Sequence, residues 1–238
     1  VQHNGCSETR VLACRTATDT CTRDADCSEA QVCAYSPNTS TWSCQGMTCV
    51  VGRPLLIDGA ARTADGIARS DWHDTHPADR DPVTTEFDPA TTDLDPATAR
   101  ALAAHWQAIA ALEHASVASF ARFTLELLAL AAPPDLLAAA QRAALDEVEH
   151  ARLAYALASR FADRPLGPGP LRTADLTLDR PLAAFVAALV HEGCVGETLG
   201  AAEADLLADH AHPTLAPRLR QVAADETRHA ALAWRTLQ

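Results

Sequence analysis

The sequence has little positive charge and no long apolar run. Its 19 basic residues stand against 31 acidic ones, which gives a net charge of −12. Nucleic-acid-binding proteins usually present a basic surface, so we expect no nucleic-acid partner. A membrane-spanning helix needs about 18 or more apolar residues in succession. The sequence offers no such stretch, and we predict that the chain is not transmembrane.

Cysteine is nearly absent after residue 50, where Cys194 stands alone. The first fifty residues hold the other seven cysteines: Cys6, Cys14, Cys21, Cys27, Cys33, Cys44 and Cys49. This density predicts a disulfide module over residues 1–50 and an oxidising, extracytoplasmic location, whether periplasmic, secreted or surface-anchored. Zinc is the alternative. Zinc-binding cysteines are usually paired at short spacing, which only Cys44 and Cys49 approach.

The remainder of the chain divides into a connector and a helical region. Residues 51–96 contain repeated Asp-Pro pairs, which favour turns and interrupt helices, so we predict a surface connector. Residues 97–238 are rich in Ala and Leu and predict four helices, at about 97–132, 135–161, 180–210 and 214–237. The Pro- and Gly-rich segment 162–178 is long enough to cross a bundle. The expected fold class is therefore all-α, a four-helix bundle with one long crossover.

Two of the predicted helices carry the same short pattern. Residues 146–150 (DEVEH) and 225–229 (DETRH) both read Asp-Glu-x-x-His. Glu and His three residues apart share one face of a helix. Glu113 and Glu192 each stand 34 residues before the glutamate of one pattern. Two such hairpins facing each other would bring four carboxylates and two imidazoles together.

This set of side chains suits a pair of metal ions, because bundles that bind two iron or manganese ions use four carboxylates and two histidines. Mixed oxygen and nitrogen ligands with open positions favour iron or manganese over structural zinc. We therefore expect two Fe ions, with Mn as the alternative. The predicted metal-binding and catalytic residues are Glu113, Glu147, His150, Glu192, Glu226 and His229. The two glutamates of the repeated pattern would bridge the ions.

Three further acidic residues belong to this hypothesis. A metal-bound histidine generally donates its other N–H to a carboxylate, so we expect Asp225 beside His150 and Asp146 beside His229. Simple solvation of the two aspartates is the alternative. Glu197 lies five residues after Glu192, about 140° further round an α-helix. It could replace Glu192 or add a ligand, but the 34-residue repeat favours Glu192.

Other residues near the patterns have plainer interpretations. We expect Glu126 to be a solvated surface charge, Tyr155 to serve packing and Cys194 to be buried. Gly193 and Gly196 would either leave room for dioxygen and substrate or allow close helix packing. The alternative for the whole constellation is two amphipathic helices whose acidic and histidine residues merely face solvent.

Residues 224–229 (ADETRH) look like the Asp-Glu-x-Arg-His motif of di-iron carboxylate proteins. On this motif and the duplicated pattern, about residues 97–238 resemble the ferritin-like superfamily, in the branch of desaturases, ribonucleotide reductases and bacterioferritins. The resemblance implies a ferritin-like bundle whose two irons react with dioxygen or peroxide. No tyrosine occupies the register of a radical site, which argues against a reductase-type radical generator. The acidic charge argues against the tRNA substrate of other relatives.

The leading functional hypothesis is an exported di-iron (or Mn/Fe) oxidase or oxygenase that acts on a small molecule or peptide. One alternative is a ferroxidase, iron-storage or peroxide-scavenging protein, and another is a metal-stabilised binding protein without turnover. Expected partners are dioxygen or peroxide, a substrate and an electron donor, neither of which the sequence identifies. A homodimer is compatible with the sequence.

Overall fold

The computed structural model describes residues 17–22, 26, 31–36, 41–46, 52–57, 60–72, 94–174, 176–178 and 180–238. The chain forms two compact units, Val1–Val50 and Val51–Gln238. Most of the described residues are helical, so the all-α prediction is confirmed. His73 and His76, in the predicted connector, lie outside the described residues.

The described part of the first unit centres on one hairpin. Strands β1 (Gln31–Ser36) and β2 (Thr41–Gly46) pair antiparallel, and Cys33 lies opposite Cys44 in the register. Trp42 is buried, and its backbone N–H donates to Asp19 Oδ1 at 2.9 Å. Cys21 is buried and disulfide-bonded. The side chains of the other cysteines of this unit lie outside the described part of the chain, so the disulfide framework stays a prediction.

The second unit contains four long helical segments. They are α1 (Pro96–Ala129), α2 (Pro134–Ala162), a composite third helix (Leu182–His210) and α5 (Ala216–Thr236). Asp95 is the N-cap of α1, because its carboxylate accepts hydrogen bonds from the backbone N–H groups of Ala97 and Thr98 at 2.9 and 3.1 Å. The helices lie close to their predicted positions, since Pro and cap residues mark most of the ends.

The third helix changes its winding halfway along. It starts as α3 (Leu182–Ala188), continues as a π-helix (Leu189–Gly196) and ends as α4 (Glu197–His210). A π-helix bonds residue i to residue i+5 and occurs preferentially at functional sites. No feature used in the sequence analysis predicted it. Its position matters because it contains or borders Glu192 and Glu197.

The helices pack as two hairpins whose inner faces form the core. α1 packs along α2, the third helix packs along α5, and α2 lies against α5. Phe120, Phe123 and Leu127 from α1 meet Leu189 and Leu232 from the second hairpin in one buried cluster. Burial of each such side chain contributes about 1.5–3 kcal/mol. This packing holds the inward-facing polar residues described below in fixed positions.

Short extended segments tie the connector to the helices. Strand β3 (Leu56–Ile57) pairs with β4 (Ala60–Ala61), and β5 (Gly66–Ile67) pairs with β6 (Gly167–Pro168) of the crossover. The segment 52–57, which we call the strap, runs over the π-helix: the N–H of Gly52 donates to the Gly196 carbonyl at 3.2 Å.

Among the described residues, one helix is long and apolar enough to cross a membrane by composition. This is the third helix, Leu182–His210. It packs against α5 and carries two buried glutamates, Glu192 and Glu197. The core helix of a bundle meets the same compositional test, so the expectation that nothing spans a membrane stays a prediction.

Candidate metal centre

Two overlapping groups of acidic and histidine side chains converge between the hairpins. In each group the candidate ligand atoms lie within 4.8 Å of one another, and Glu147 and Glu226 belong to both groups. The first group adds Glu113 and His150, and the second adds Glu197 and His229. All of these residues are buried except Glu113, which is partly exposed. The two glutamates are thus shared by two groups, each of which could hold a metal ion.

The two histidines are arranged with approximate two-fold symmetry. Nδ1 of His150 is 3.2 Å from Glu226 Oε1 and 3.8 Å from Glu147 Oε2. Nδ1 of His229 is 3.1 Å from Glu147 Oε1 and 3.7 Å from Glu226 Oε2. Each imidazole is therefore nearer to the glutamate of the facing helix than to the one in its own pattern. The ring centres are 6.1 Å apart.

The atoms that point into this centre lack hydrogen-bond partners. Seven of the buried side-chain atoms without a hydrogen bond in the described structure belong to this centre: both carboxylate oxygens of Glu147 and Glu197, Oε2 of Glu226, and Nδ1 of His150 and His229. A buried polar atom left unsatisfied costs about 1–3 kcal/mol, so seven converging on one place need a shared partner. Cations are such a partner, and the donor set of oxygen and imidazole nitrogen fits iron or manganese.

The outer nitrogen of each histidine contacts an aspartate of the facing helix. His150 Nε2 lies 3.2 Å from Asp225 Oδ2, and His229 Nε2 lies 3.1 Å from Asp146 Oδ2. The crosswise pairing follows the expected arrangement. When a ring is neutral and donates its Nε2–H to the aspartate, its Nδ1 lone pair is directed inward, where it can bind a cation.

Two residues that the sequence analysis did not single out hold these aspartates. Arg228 contacts both, donating to Asp225 Oδ1 and lying 3.3 Å from Asp146 Oδ2. Gln221 Nε2 donates to Asp225 Oδ1 at 2.7 Å. Burial disfavours the charged carboxylate of Asp225, but hydrogen bonds from His150, Arg228 and Gln221 outweigh it and lower its pKa. Arg228 is the arginine of the Asp-Glu-x-Arg-His motif, whereas the only sequence signal for Gln221 was its spacing of four residues from Asp225.

Glu192 does not join the centre, so the expectation that it rather than Glu197 would converge there is corrected. Its carboxylate accepts a hydrogen bond from Arg122 Nη2 at 3.1 Å, and both side chains are buried. Glu197, the alternative, is fully buried within the second group. In an α-helix these two glutamates would point about 140° apart. The i→i+5 winding of the π-helix brings residues five apart nearly into line, so both can face inward.

Helix lengths explain why Glu197 has the right height. Glu226 lies ten residues after the start of α5, whereas Glu147 lies thirteen after the start of α2. Glu197 lies thirteen residues before the end of α4, whereas Glu113 lies sixteen before the end of α1. Both arms of the second hairpin are thus shorter by three residues, roughly 4.5 Å. The shortening moves the ligand position from Glu192 toward the turn.

The strap places a buried arginine beside the third-helix glutamates. Arg53 is 3% exposed, and its guanidinium lies over the ring of Phe123 at 4.1 Å from the centroid. Burial lowers the pKa of Arg53, while Glu197 and then Glu192 act in the opposite direction. The sequence analysis missed this residue, since nothing in an isolated Arg-Pro pair indicates burial. Arg53 and Arg122 supply positive charge beside two buried carboxylates.

The proton affinities of the centre reflect crowded negative charge. Burial, together with the charge of Glu226, raises the pKa of Glu197 well above its ordinary value. Burial and the negative charges of Glu147 and Glu226 also raise the pKa of Glu113 well above its ordinary value. Burial disfavours charge on His229, but Asp146, Glu147 and Glu226 outweigh it and raise its pKa to about 12. The pKa values of Glu147 and Glu226 are lowered instead, because hydrogen bonds from the two histidines outweigh burial.

The neighbouring residues divide between confirmed and wrong predictions. Tyr155 is fully buried in packing, and Cys194 is buried with a free thiol. Glu126, expected in solvent, is buried and paired with Arg180 at 2.6 Å. The expectation failed because Arg180 lies far away in sequence, in the crossover, which in the structure extends to the start of the third helix at Leu182. No local pattern in α1 could indicate that pairing.

The two glycines of the π-helix serve close packing. A Cβ at Gly193 would lie 2.7 Å from Ala233 Cβ, and one at Gly196 would lie 2.5 Å from the Gly52 carbonyl oxygen. These distances are too short for real side chains, so glycine is required at both positions. Of the two interpretations left open by the sequence, the structure favours packing over room for a substrate.

A groove lies on another side of the centre. It has a volume of about 380 Å³, runs between α2 and α5, and has Asp146 and His229 among its lining residues. Comparison of the chain with family models, with curated proteins and with solved structures returns no match. The functional argument therefore depends on the site itself.

Proposed function

We propose that this protein is a di-iron (or Mn/Fe) carboxylate oxidoreductase that uses dioxygen or peroxide to oxidise a small molecule or peptide outside the cytoplasm. The observation that carries the proposal is the set of seven buried, unpartnered ligand atoms on Glu147, Glu197, Glu226, His150 and His229. The four helices, in two hairpins joined by the crossover that precedes Leu182, have the connectivity of a ferritin-like bundle, and we assign them to that fold type.

Each side chain has a defined task in this proposal. Glu147 and Glu226 would be shared by both ions, since both belong to both ligand groups. Glu113 and Glu197 would each complete the set of one ion, and each histidine would bind through Nδ1. Iron bound here would supply the redox reaction with dioxygen or peroxide. Asp146 and Asp225 hold the imidazoles in the required tautomer.

The remaining residues keep the centre rigid and dry. Phe120 contacts the His229 ring with a centroid distance of 5.1 Å, and the strap closes the side next to Glu197. A water-poor surrounding strengthens electrostatic interactions inside the site. Hydroxylation with dioxygen inserts one oxygen atom into a substrate C–H bond and releases the other as water, with two electrons and two protons from an external reductant. With peroxide as oxidant, no external electrons are needed.

The experiment is an anaerobic titration of the metal-free chain with ferrous iron, followed by exposure to oxygen. We expect two irons per chain, a coupled di-ferric Mössbauer signal, and oxygen uptake that is stoichiometric with the iron. Glu147→Ala should abolish the coupled signal. Glu149→Ala is the matched control, because Glu149 lies two residues away on the same helix and is 57% exposed. Mononuclear binding that is equal in both variants would contradict the proposal.

A further inference from the structure

The groove between α2 and α5 has an unusual charge for this protein. Its lining contains three arginines, Arg142, Arg228 and Arg235, and a single acidic residue, Asp146, whereas the whole chain carries a net charge of −12. The volume of about 380 Å³ falls within the range of small-molecule sites. A locally positive groove on an acidic protein attracts anions selectively.

The three arginines are not equivalent. Arg228 is engaged with Asp146 and Asp225, so its charge is balanced within the protein. Arg142 and Arg235 are exposed, and neither guanidinium has an ion-pair or hydrogen-bond partner in the part of the chain that the structure describes. Two unengaged guanidinium groups at one groove can bind a carboxylate or phosphate, each through paired N–H donors.

The position of these two arginines along the groove is set by the helix register. His229 faces Glu147 and His150 faces Glu226, so α2 and α5 run antiparallel. The direction is therefore the same from Asp146 back to Arg142 along α2 as it is from His229 forward to Arg235 along α5. At 1.5 Å per residue the two separations are about 6 Å and about 9 Å. Along the helix axes, Arg142 and Arg235 therefore lie on the same side of Asp146 and His229, and all four residues line the groove.

The rest of the groove wall is apolar. Ala143 and Leu232 are buried in it, and Leu145 and Ala231 are exposed along its rim. Such a wall accepts aliphatic carbon but offers no hydrogen-bond partner to a sugar or a peptide backbone. A ligand that suits both parts of the lining has an anionic head and a short apolar segment.

We infer that this groove binds a small amphiphilic acid, with its carboxylate or phosphate head at Arg142 and Arg235 and its apolar segment directed toward His229. The binding site is inferred from the groove alone, whereas its use as the substrate site rests on the proposed oxidation. The inferred substrate class is organic acids with an aliphatic part of about 6–9 Å, which is the distance along the helices from the two arginines to the centre.

The test is calorimetric titration of the full chain with octanoate, octyl phosphate and 1-octanol at low ionic strength, on metal-free and Mn(II)-loaded protein. We expect one anion per chain and binding of octanol at least tenfold weaker. Comparison of the affinities for octanoate and octyl phosphate decides which head group is preferred. Arg142→Gln and Arg235→Gln should each weaken anion binding about tenfold and leave octanol binding unchanged.

Two further variants keep the test sharp. Arg100→Gln removes an exposed arginine near the start of α1 and should change nothing. Ala231→Leu should fill the groove and weaken all three ligands. Equal binding of octanol and octanoate, or anion binding that survives both arginine substitutions, would overturn the inference. Because none of these titrations involves turnover, anion binding without oxygen uptake would reject the oxidation alone, and oxygen uptake without anion binding would reject the groove alone.

Discussion

The two helical hairpins carry the same repeated pattern but build their half of the centre differently. In the first hairpin, α1 is a regular α-helix, and its candidate ligand Glu113 retains 20% exposure. In the second hairpin, the third helix contains a π-helix and two buried glutamates, Glu192 and Glu197. Repeated sequence therefore does not guarantee repeated geometry, because one change of winding selects a different glutamate.

The largest expected effect separates the two glutamates of the third helix. Glu197→Ala removes a side chain of the second ligand group, so we expect the iron stoichiometry to fall from two to one per chain. Glu192→Ala should leave two irons bound. It should instead lower the free energy of unfolding by about 3–5 kcal/mol, because Arg122 would remain buried without its partner. Iron analysis and denaturant unfolding of both variants provide the measurement.

The opposite pattern would reverse the comparison. Full iron binding in Glu197→Ala, together with loss of iron in Glu192→Ala, would restore the 34-residue repeat as the guide to the ligands. Glu192→Gln serves as a control, since its amide can still accept the hydrogen bond from Arg122.

The pH dependence of the metal-free protein tests the crowding of charge at the centre. His150 and His229 have pKa values raised above the ordinary 6.5. Above pH 6.5 the unfolded chain therefore loses protons that the folded chain keeps. Stability should fall as pH rises from 6.5 to 9, by about 1.4 kcal/mol per pH unit for each extra proton held. Raised pKa values of Glu113 and Glu197 act in the same direction.

Metal should remove this slope, because the ions take the place of the protons. Urea unfolding at several pH values, with and without Mn(II), measures both curves. A metal-free protein whose stability is flat or rises over this range would show that the carboxylates and imidazoles are not packed together as described.

A smaller effect is expected at the close contact between the strap and the π-helix. Gly196→Ala would place a methyl group against the Gly52 carbonyl, so the strap must shift. We expect a loss of about 1–3 kcal/mol in the free energy of unfolding and weaker binding at the ion next to Glu197. Thermal unfolding and iron titration measure the two effects. Wild-type values for both would mean that the strap does not support the centre.

The smallest effect concerns the aspartates behind the histidines. Asp225 is buried and held by Gln221 and Arg228, whereas Asp146 is 28% exposed. Loss of such a partner typically weakens metal binding about 10–100-fold. We expect Asp225→Asn near the upper end of this range and Asp146→Asn near the lower end. Metal affinities are measured by competition with a chelator. Equal affinities of the two variants would mean that the two aspartates support metal binding equally.

Much of the architecture could be predicted from local signals. Pro133 and Pro213 separate the helices of each hairpin, and Asp95 caps α1, so helix positions followed from capping and Pro rules. The Asp-Glu-x-x-His patterns placed Glu147, His150, Glu226 and His229 at one centre, because spacing of three within a helix is a local property.

The failures have a common physical cause, which is dependence on distant contacts. Glu192 pairs with Arg122, and Glu126 pairs with Arg180 of the crossover. The π-helix fits the approach of Gly52 to Gly196, again a contact between remote segments. Such choices depend on tertiary packing, and no periodicity within a helix encodes them.

The most direct test of the central claim is anomalous diffraction at the iron edge from crystals loaded with ferrous iron. The account predicts two anomalous peaks about 3.5–4 Å apart, both beside Glu147 and Glu226, with Glu197 and His229 at one and Glu113 and His150 at the other. A single peak, or a peak at Glu192 with none beside Glu197, would contradict it.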